Sequence, residues 1–361
     1  MISLLAFWEN YITNPTLLRI ATNPYLLFAI GLVLLIKGGD WFVDGASGVA
    51  KKYHVPELLI GATVVSIGTT LPEVMVSSGA ALKGVGDIAY GNAIGSVICN
   101  TALIAAVTVA VKPSATERKT LFFPVSAFFL AAAVYVFAAY GIGRFTRPIG
   151  IVLLAMFVIY MVLTIRQAFS GIKAKGEAAE AGKKPETEDA ASEAKDGEKS
   201  KPVLFLVGLI IIGAALIAVG ADLLVDNATI IAKNFGVSDA VIALTVVALG
   251  TSLPELVTAI TSLIKGHGSL SLGNVIGANI FNLVLVSGMA VTISPFGLPA
   301  GKTIAGINSS LVVDLPVMVF VMALLTIPAL IRGKLSRVQG ILLLATYAAF
   351  TAFQIVFSVA F

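Results

Sequence analysis

The sequence predicts an all-α integral membrane protein of ten transmembrane helices, arranged as two inverted-topology five-helix repeats. Three observations carry this. Of 361 residues, 58% are hydrophobic and 12% charged, about half the charge of a soluble domain, and the mean hydropathy is +0.97. Apolar runs of membrane-spanning length follow one another with short breaks. The second half of the chain repeats the first at a shift of 182 residues.

In order, residues 1–23 lack a basic region ahead of an apolar core, so they read as a short peripheral lead-in rather than a cleaved signal peptide. Five spans are expected over 24–50, 57–82, 88–111, 118–141 and 147–169, making a first repeat over 24–169. Residues 170–201 are rich in Lys, Glu, Ala and Gly with almost no large apolar side chain. Such a stretch buries no core and reads as a flexible linker, with transient helix allowed. Spans over 202–232, 239–264, 270–296, 309–331 and 338–360 make a second repeat over 202–361.

Ten spans put alternate loops on opposite sides. One side takes Arg19, Lys83, Arg144, Arg147, Lys233 and Lys302. The other takes Lys51, Lys52, Lys112, Arg118, Lys119, Arg166, Lys265, Arg332, Lys334 and Arg337, with the linker's Lys173, Lys175, Lys183, Lys184, Lys195, Lys199 and Lys201. This bias predicts a multi-pass protein of the cell membrane, with a cytoplasmic linker and both termini outside. The formal charge of +4 then reflects loop lysines and arginines facing lipid headgroups, and no nucleic acid is expected. Cys99 is the only cysteine, and His54 and His267 are the only histidines. An intrachain disulfide and a thiolate zinc site are therefore excluded, and a zinc hydrolase has almost no ligands. Cys99 reads as packing, and the two histidines as loop residues.

The repeat is gapless over Gly38–Asn100 and Gly220–Asn282. Asp40 and Asp44 fall on Asp222 and Asp226, GTTLPE at Gly68–Glu73 on GTSLPE at Gly250–Glu255, and GNAIG at Gly91–Gly95 on GNVIG at Gly273–Gly277. Equivalent spans lie five apart, an odd number, so the halves enter the membrane from opposite sides. Secondary transporters use such repeats and place their site at the repeat interface near the midplane.

Glu73 lies near the midpoint of Glu57 and Lys83, and Glu255 near that of Asp239 and Lys265. Both carboxylates therefore sit within about 5 Å of the bilayer centre, where an unpaired charge costs several kcal/mol. Nearly all the other basic residues belong to loops or span ends; the exception is Lys37, which sits inside the first span and lies a turn from Asp40. A bound cation fits the remaining deficit. Pro72 and Pro254 precede the glutamates and should break spans 2 and 7. That frees carbonyls around Ser66–Thr69 and Ala248–Thr251. Hydroxyls of Thr69, Thr70, Thr251 and Ser252 and amides of Asn100 and Asn282 complete an all-oxygen set that suits Ca2+. Thr70 and Ser252, each three residues before a glutamate, also match capping boxes. Capping geometry is expected, yet it does not account for two mirrored midplane carboxylates.

These motifs resemble the alpha repeats of the cation/calcium exchanger superfamily, most nearly those of prokaryotic sodium/calcium exchangers. The resemblance implies secondary active antiport of several Na+ for one Ca2+ by alternating access, without a cofactor or enzymatic activity, in a monomeric functional unit. It implicates Glu73 and Glu255 as shared carboxylates, Thr69, Thr70, Thr251 and Ser252 as hydroxyl ligands, and the carbonyls of Ser66 and Ala248 with Ser96 and Asn100. Ala278 lacks a hydroxyl that the family often supplies, which alters one sodium site. Asn282 stands where potassium-dependent members carry Asp, and neither GN motif holds an acid, as proton-coupled members do. Proton-coupled or potassium-dependent exchange is the alternative.

A channel would need no mutually exclusive loading, and an intramembrane hydrolase would need a nucleophile–base pair that is not visible. Glycines 91, 95, 273 and 277 should let spans 3 and 8 approach spans 2 and 7. Asp40, Asp44, Asp222 and Asp226 read as helix-end residues, the first two pairing with Lys37 or Lys51. Asp314 reads as a local cap.

Overall fold

Asn23 opens the first helix, its Oδ1 accepting from the backbone N–H of Tyr25 and Leu26 at 3.0 and 3.2 Å, which satisfies two of the orphan donors at the helix start, while Pro24 at the first position has no N–H to satisfy. In the computed structural model, which describes residues 22–180, 201–235, 250, 252–299 and 303–359, the helices are α1 (Pro24–Tyr53), α2 (Glu57–Leu82), α3 (Gly86–Val111), α4 (Arg118–Ile142) and α5 (Arg147–Glu180). The second half holds α6 (Val203–Asn234), α7 (Leu253–Ile264), α8 (Gly268–Ile293), α9 (Ser310–Arg332) and α10 (Arg337–Val359). Among the described residues, nine helices are long and apolar enough to cross a bilayer, and α7 is shorter. The first half of span 7 lies outside the described residues, as does most of the lead-in.

Span 5 closes where expected, its apolar membrane-length stretch covering Arg147–Ala168, and its helix runs on to Glu180, because Ala, Lys and Glu there are good helix formers with no proline to stop them. One expectation needs correction. Span 2 does not break at Pro72, which lies inside continuous helix. The irregularity is a π-helical turn about two to three turns earlier, at Gly61–Val65. Matching π-turns begin at Asn100 in α3 (Asn100–Ala105) and at Asn282 in α8 (Asn282–Val286). Such turns splay the helix ladder and recur at functional sites.

α3 and α8 are the most buried spans. α5 and α10 turn Ile151, Val158, Val338 and Ile341 outward, as expected of lipid-facing helices. Small antiparallel strand pairs, β1 (Arg144–Phe145) with β2 (Phe296–Gly297) and β3 (Thr303–Ile304) with β4 (Ile307–Asn308), close the face opposite the linker.

α1 and α6 pack along their length through glycines. A Cβ at Gly38 would lie 2.9 Å from the Gly213 carbonyl oxygen, and one at Gly31 2.9 Å from that of Gly220. The shift of 182 turns Gly31 into Gly213 and Gly38 into Gly220, so the repeat symmetry exchanges these two contacts. Small residues allow backbones this close, where dispersion and not water exclusion drives association.

Candidate cation site

α2 carries Glu73 and α7 carries Glu255, and both side chains are 0% exposed. The two carboxylates lie close enough to feel each other's charge. Among the described residues, none of their four oxygens has a hydrogen-bond partner. The same holds for the hydroxyls of Thr70 and Ser252 and for both polar atoms of the Asn100 and Asn282 amides. Buried polar groups are nearly always paired, so this concentration around one carboxylate pair marks a place built to hold something polar. The π-turn of α3, which starts at Asn100, packs on α7, and the π-turn of α8, which starts at Asn282, packs on α2. Each repeat thus sets its asparagine against the other repeat's glutamate helix.

The remaining expected residues fall as follows. Ser96 is buried. Thr69 is buried, donates from Oγ1 to Asn274 Oδ1 at 3.2 Å, and lies beside the Glu255 carboxylate. Ser66 donates from Oγ to the carbonyls of Gly61 at 2.8 Å or Asn274 at 2.9 Å. Thr251 and Ala248 lie outside the described residues. Pro254 stands in the first turn of α7, where a missing N–H costs little. Capping boxes do not form. Thr70 sits within continuous helix, and Ser252 makes no side-chain cap to α7. Both hydroxyls therefore remain free of the backbone.

Among the described residues, no group of three or more His, Cys, Asp and Glu is placed to hold a metal ion. The donor set is two carboxylates and neutral oxygens, the chemistry of a hard cation. Among the described residues, no basic side chain neutralises the pair, and Lys37 is exposed. Cys99 lies behind the site, near Ser252 and 3.8 Å from the Tyr347 hydroxyl. A cavity of about 10 Å³, lined by Phe42, Thr69, Pro72, Ala214, Ile217 and Pro254, separates α1 and α6 from the proline turns. That is room for about one water, so α1 and α6 cover the site.

Close packing forms the site's wall. A Cβ on Gly273 would meet the Leu58 carbonyl oxygen at 2.2 Å, and one on Gly277 the Ala62 Cα at 2.6 Å. α8 thus lies directly on α2, across the repeats, as those glycines led one to expect. The repeat counterparts of Leu58 and Ala62, at 240 and 244, lie outside the described residues.

Sequence reasoning missed the two GN-motif amides. Asn92 donates from Nδ2 to the Glu73 carbonyl at 3.2 Å and to Ser77 Oγ at 2.9 Å. Asn274 accepts from Thr69 on Oδ1. Their equivalence under the repeat was the available signal. The acidic pair on α1 was misassigned: Asp40 and Asp44 do not pair with Lys37 or Lys51 but with Lys265, at the end of α7, at 3.4 and 2.7 Å. Its Nζ also donates to the Asp40 carbonyl at 2.9 Å. The C-terminal end of α7 meets the middle of α1 in space, which local spacing does not reveal. His267 is likewise more than a loop residue, with Nδ1 2.7 Å from Glu57 Oε1.

The family described as sodium/calcium exchanger protein matches residues 23–166 and 205–356. The chain belongs to this family. This exchanger is 31% identical over 358 residues to the sodium/calcium exchanger MaX1 of Methanosarcina acetivorans, covering 91% of this chain and 97% of that one. It is 37% identical over 273 residues to the inner membrane protein YrbG of Escherichia coli, covering 74% and 79%. A solved structure of the sodium-calcium exchanger NCX_Mj soaked with Na+ and Sr2+ matches with a TM-score of 0.72 and 32% identity, covering 91% of this chain and 98% of that one. The expected fold is the family's fold, and the exchanger is a multi-pass membrane transporter of the cation/calcium exchange class, not an enzyme.

Proposed function

We propose that this exchanger is a secondary active antiporter that trades several Na+ for one Ca2+ by alternating access through the Glu73–Glu255 site. The observation that carries the proposal is the pair of fully buried carboxylates, near enough to feel each other's charge and, among the described residues, without hydrogen-bond partners. Two formal negative charges balance one Ca2+. A set of Na+ ions balances them equally well, so the two loads exclude each other. The empty dicarboxylate is too costly to occlude, so only a loaded carrier rearranges. Ligand oxygens are assigned to Glu73, Glu255, Thr69, Thr70, Thr251, Ser252, Ser96, Asn100 and Asn282, with the carbonyls of Ser66 and Ala248. The neutral Asn282 and the acid-free GN motifs favour Na+ over K+ or H+ as the driving ion. The linker is placed in the cytoplasm and the termini outside.

The two faces of the carrier differ in a way that supports alternating access. On the linker face, Lys265 ties α7 to Asp40 and Asp44 of α1. The symmetry-related set is Lys83 with Asp222 and Asp226, and among the described residues these three form no ion pair; Lys83 and both aspartates are exposed. One latch is closed while its mirror is open, and exchange of the two states swaps them. The groups are a quarter to a half exposed, so each latch is worth at most about 1 kcal/mol. Lys265→Gln is expected to raise amide hydrogen exchange at the linker-side end of α7 about threefold, and Lys83→Gln to leave it unchanged.

Flux of 45Ca2+ in proteoliposomes, with Na+, K+ and H+ gradients imposed one at a time, tests the coupling. Uptake is expected only against an outward Na+ gradient. Uptake driven by a pH gradient without Na+ would replace Na+ with H+ as the coupling ion. Uptake with no opposed gradient would make the protein a channel.

A further inference from the structure

A hydroxyl that ligates a cation must turn its proton away from the ion. It has one proton and two lone pairs, and beside a carboxylate the proton's default partner is that carboxylate. Thr69 faces this conflict, because its hydroxyl lies next to Glu255. A proton donated there would occupy one carboxylate lone pair and point a positive end into the cation site.

The amide of Asn274 offers another destination. Asn274 stands on α8 in the GNVIG motif, is 0% exposed, and presents Oδ1 to Thr69 Oγ1 at 3.2 Å. The other available acceptor, the Ser66 carbonyl, is at 3.5 Å. Ser66 Oγ lies 3.4 Å from the same Oδ1 but has nearer acceptors of its own. The Nδ2 group of Asn274 is buried and has no partner among the described residues. A carboxylate at this position would accept the proton equally well, but it would add a third negative charge beside a pair that balances one Ca2+. An amide accepts without charge. The repeat-related Asn92 is turned differently and holds the Glu73 backbone instead.

We infer that Asn274 is a positioning residue for cation binding: it takes the Thr69 proton, so that the Thr69 lone pairs and both Glu255 oxygens stay directed at the ion. This rests on the exchanger reading of the Glu73–Glu255 site. Its effect passes entirely through Thr69, which separates it from a role in packing.

The test is a double-mutant cycle on the full chain in proteoliposomes, read as the KM and maximal rate of 45Ca2+ uptake against internal unlabelled Ca2+, an exchange that needs no knowledge of the coupling ion. Asn274→Ala and Thr69→Val are each expected to raise the Ca2+ KM about tenfold. The double variant is expected to raise it about tenfold as well, not a hundredfold, because residues acting through one hydrogen bond are not additive. Thr164→Val, which removes a hydroxyl bonded within α5 to Tyr160, is the control and should combine additively with Asn274→Ala. Asn274→Leu, run in parallel, removes the acceptor while filling the space, and gives the same result if the acceptor matters. A hundredfold rise in the double variant, or a fall in maximal rate with unchanged KM, would overturn the positioning role while leaving the exchanger reading intact. A wild-type chain without Ca2+ exchange would overturn that reading, and this inference with it.

Discussion

Glu73→Gln and Glu255→Gln each cut Ca2+ flux by about a hundredfold or more, while the chain stays folded. Gln keeps the shape and one oxygen but removes one of the two charges that balance Ca2+. Losing one partner of a desolvated charge pair typically costs 2–5 kcal/mol, which is that range of effect. Thermal stability should respond with the opposite sign. Without ions, each glutamate is buried and unpaired, so its neutral replacement should melt at the same temperature as the wild type or higher. Added Ca2+ stabilises the wild type by mass action and should leave the variants unmoved. Glutamates that merely capped helices would show the reverse, with lower melting temperatures and flux largely retained.

Gly277→Ala should have the second largest effect, from a single methyl group. Its Cβ would fall 2.3 Å from Ser66 Oγ, 2.6 Å from the Ala62 Cα and 2.7 Å from the Ala62 carbonyl oxygen. The serine hydroxyl can rotate away, but the α2 backbone cannot. Overpacking of this kind costs about 1–3 kcal/mol, and relief requires α8 to move off α2. That movement carries Asn274 and Asn282 away from Thr69 and Glu73. A drop in flux of tenfold or more with a lowered melting temperature is expected, measured on the same proteoliposome and thermal assays. Gly79→Ala, on α2 with nothing within 4 Å of its Cβ, should be silent.

The spans were legible because lipid demands long apolar runs, and nine observed helices begin and end within a few residues of those runs, α5 excepted at its C-terminal end. The glutamates were legible because a midplane carboxylate is costly and the repeat presents it twice. Local motifs misled where tertiary contacts decide. Pro72 suggested a break and Thr70 a cap, but the ladder is relieved at Gly61–Val65 instead, where α8 crowds α2: a Cβ on Gly61 would meet the Leu270 carbonyl oxygen at 2.4 Å. No periodicity marks such a π-turn. Lys265 and Asp44 lie 221 residues apart, and only the folded repeat brings them together. Asn92 and Asn274 occupy equivalent positions yet bond different partners, an asymmetry that an aligned motif cannot display.

Equilibrium binding of 45Ca2+ to the purified chain over a series of Na+ concentrations, alongside the Glu73→Gln/Glu255→Gln double variant, tests the central claim most directly. The account predicts one Ca2+ per wild-type chain, displaced as Na+ rises, and none on the double variant. Equal Ca2+ binding by both proteins would contradict it.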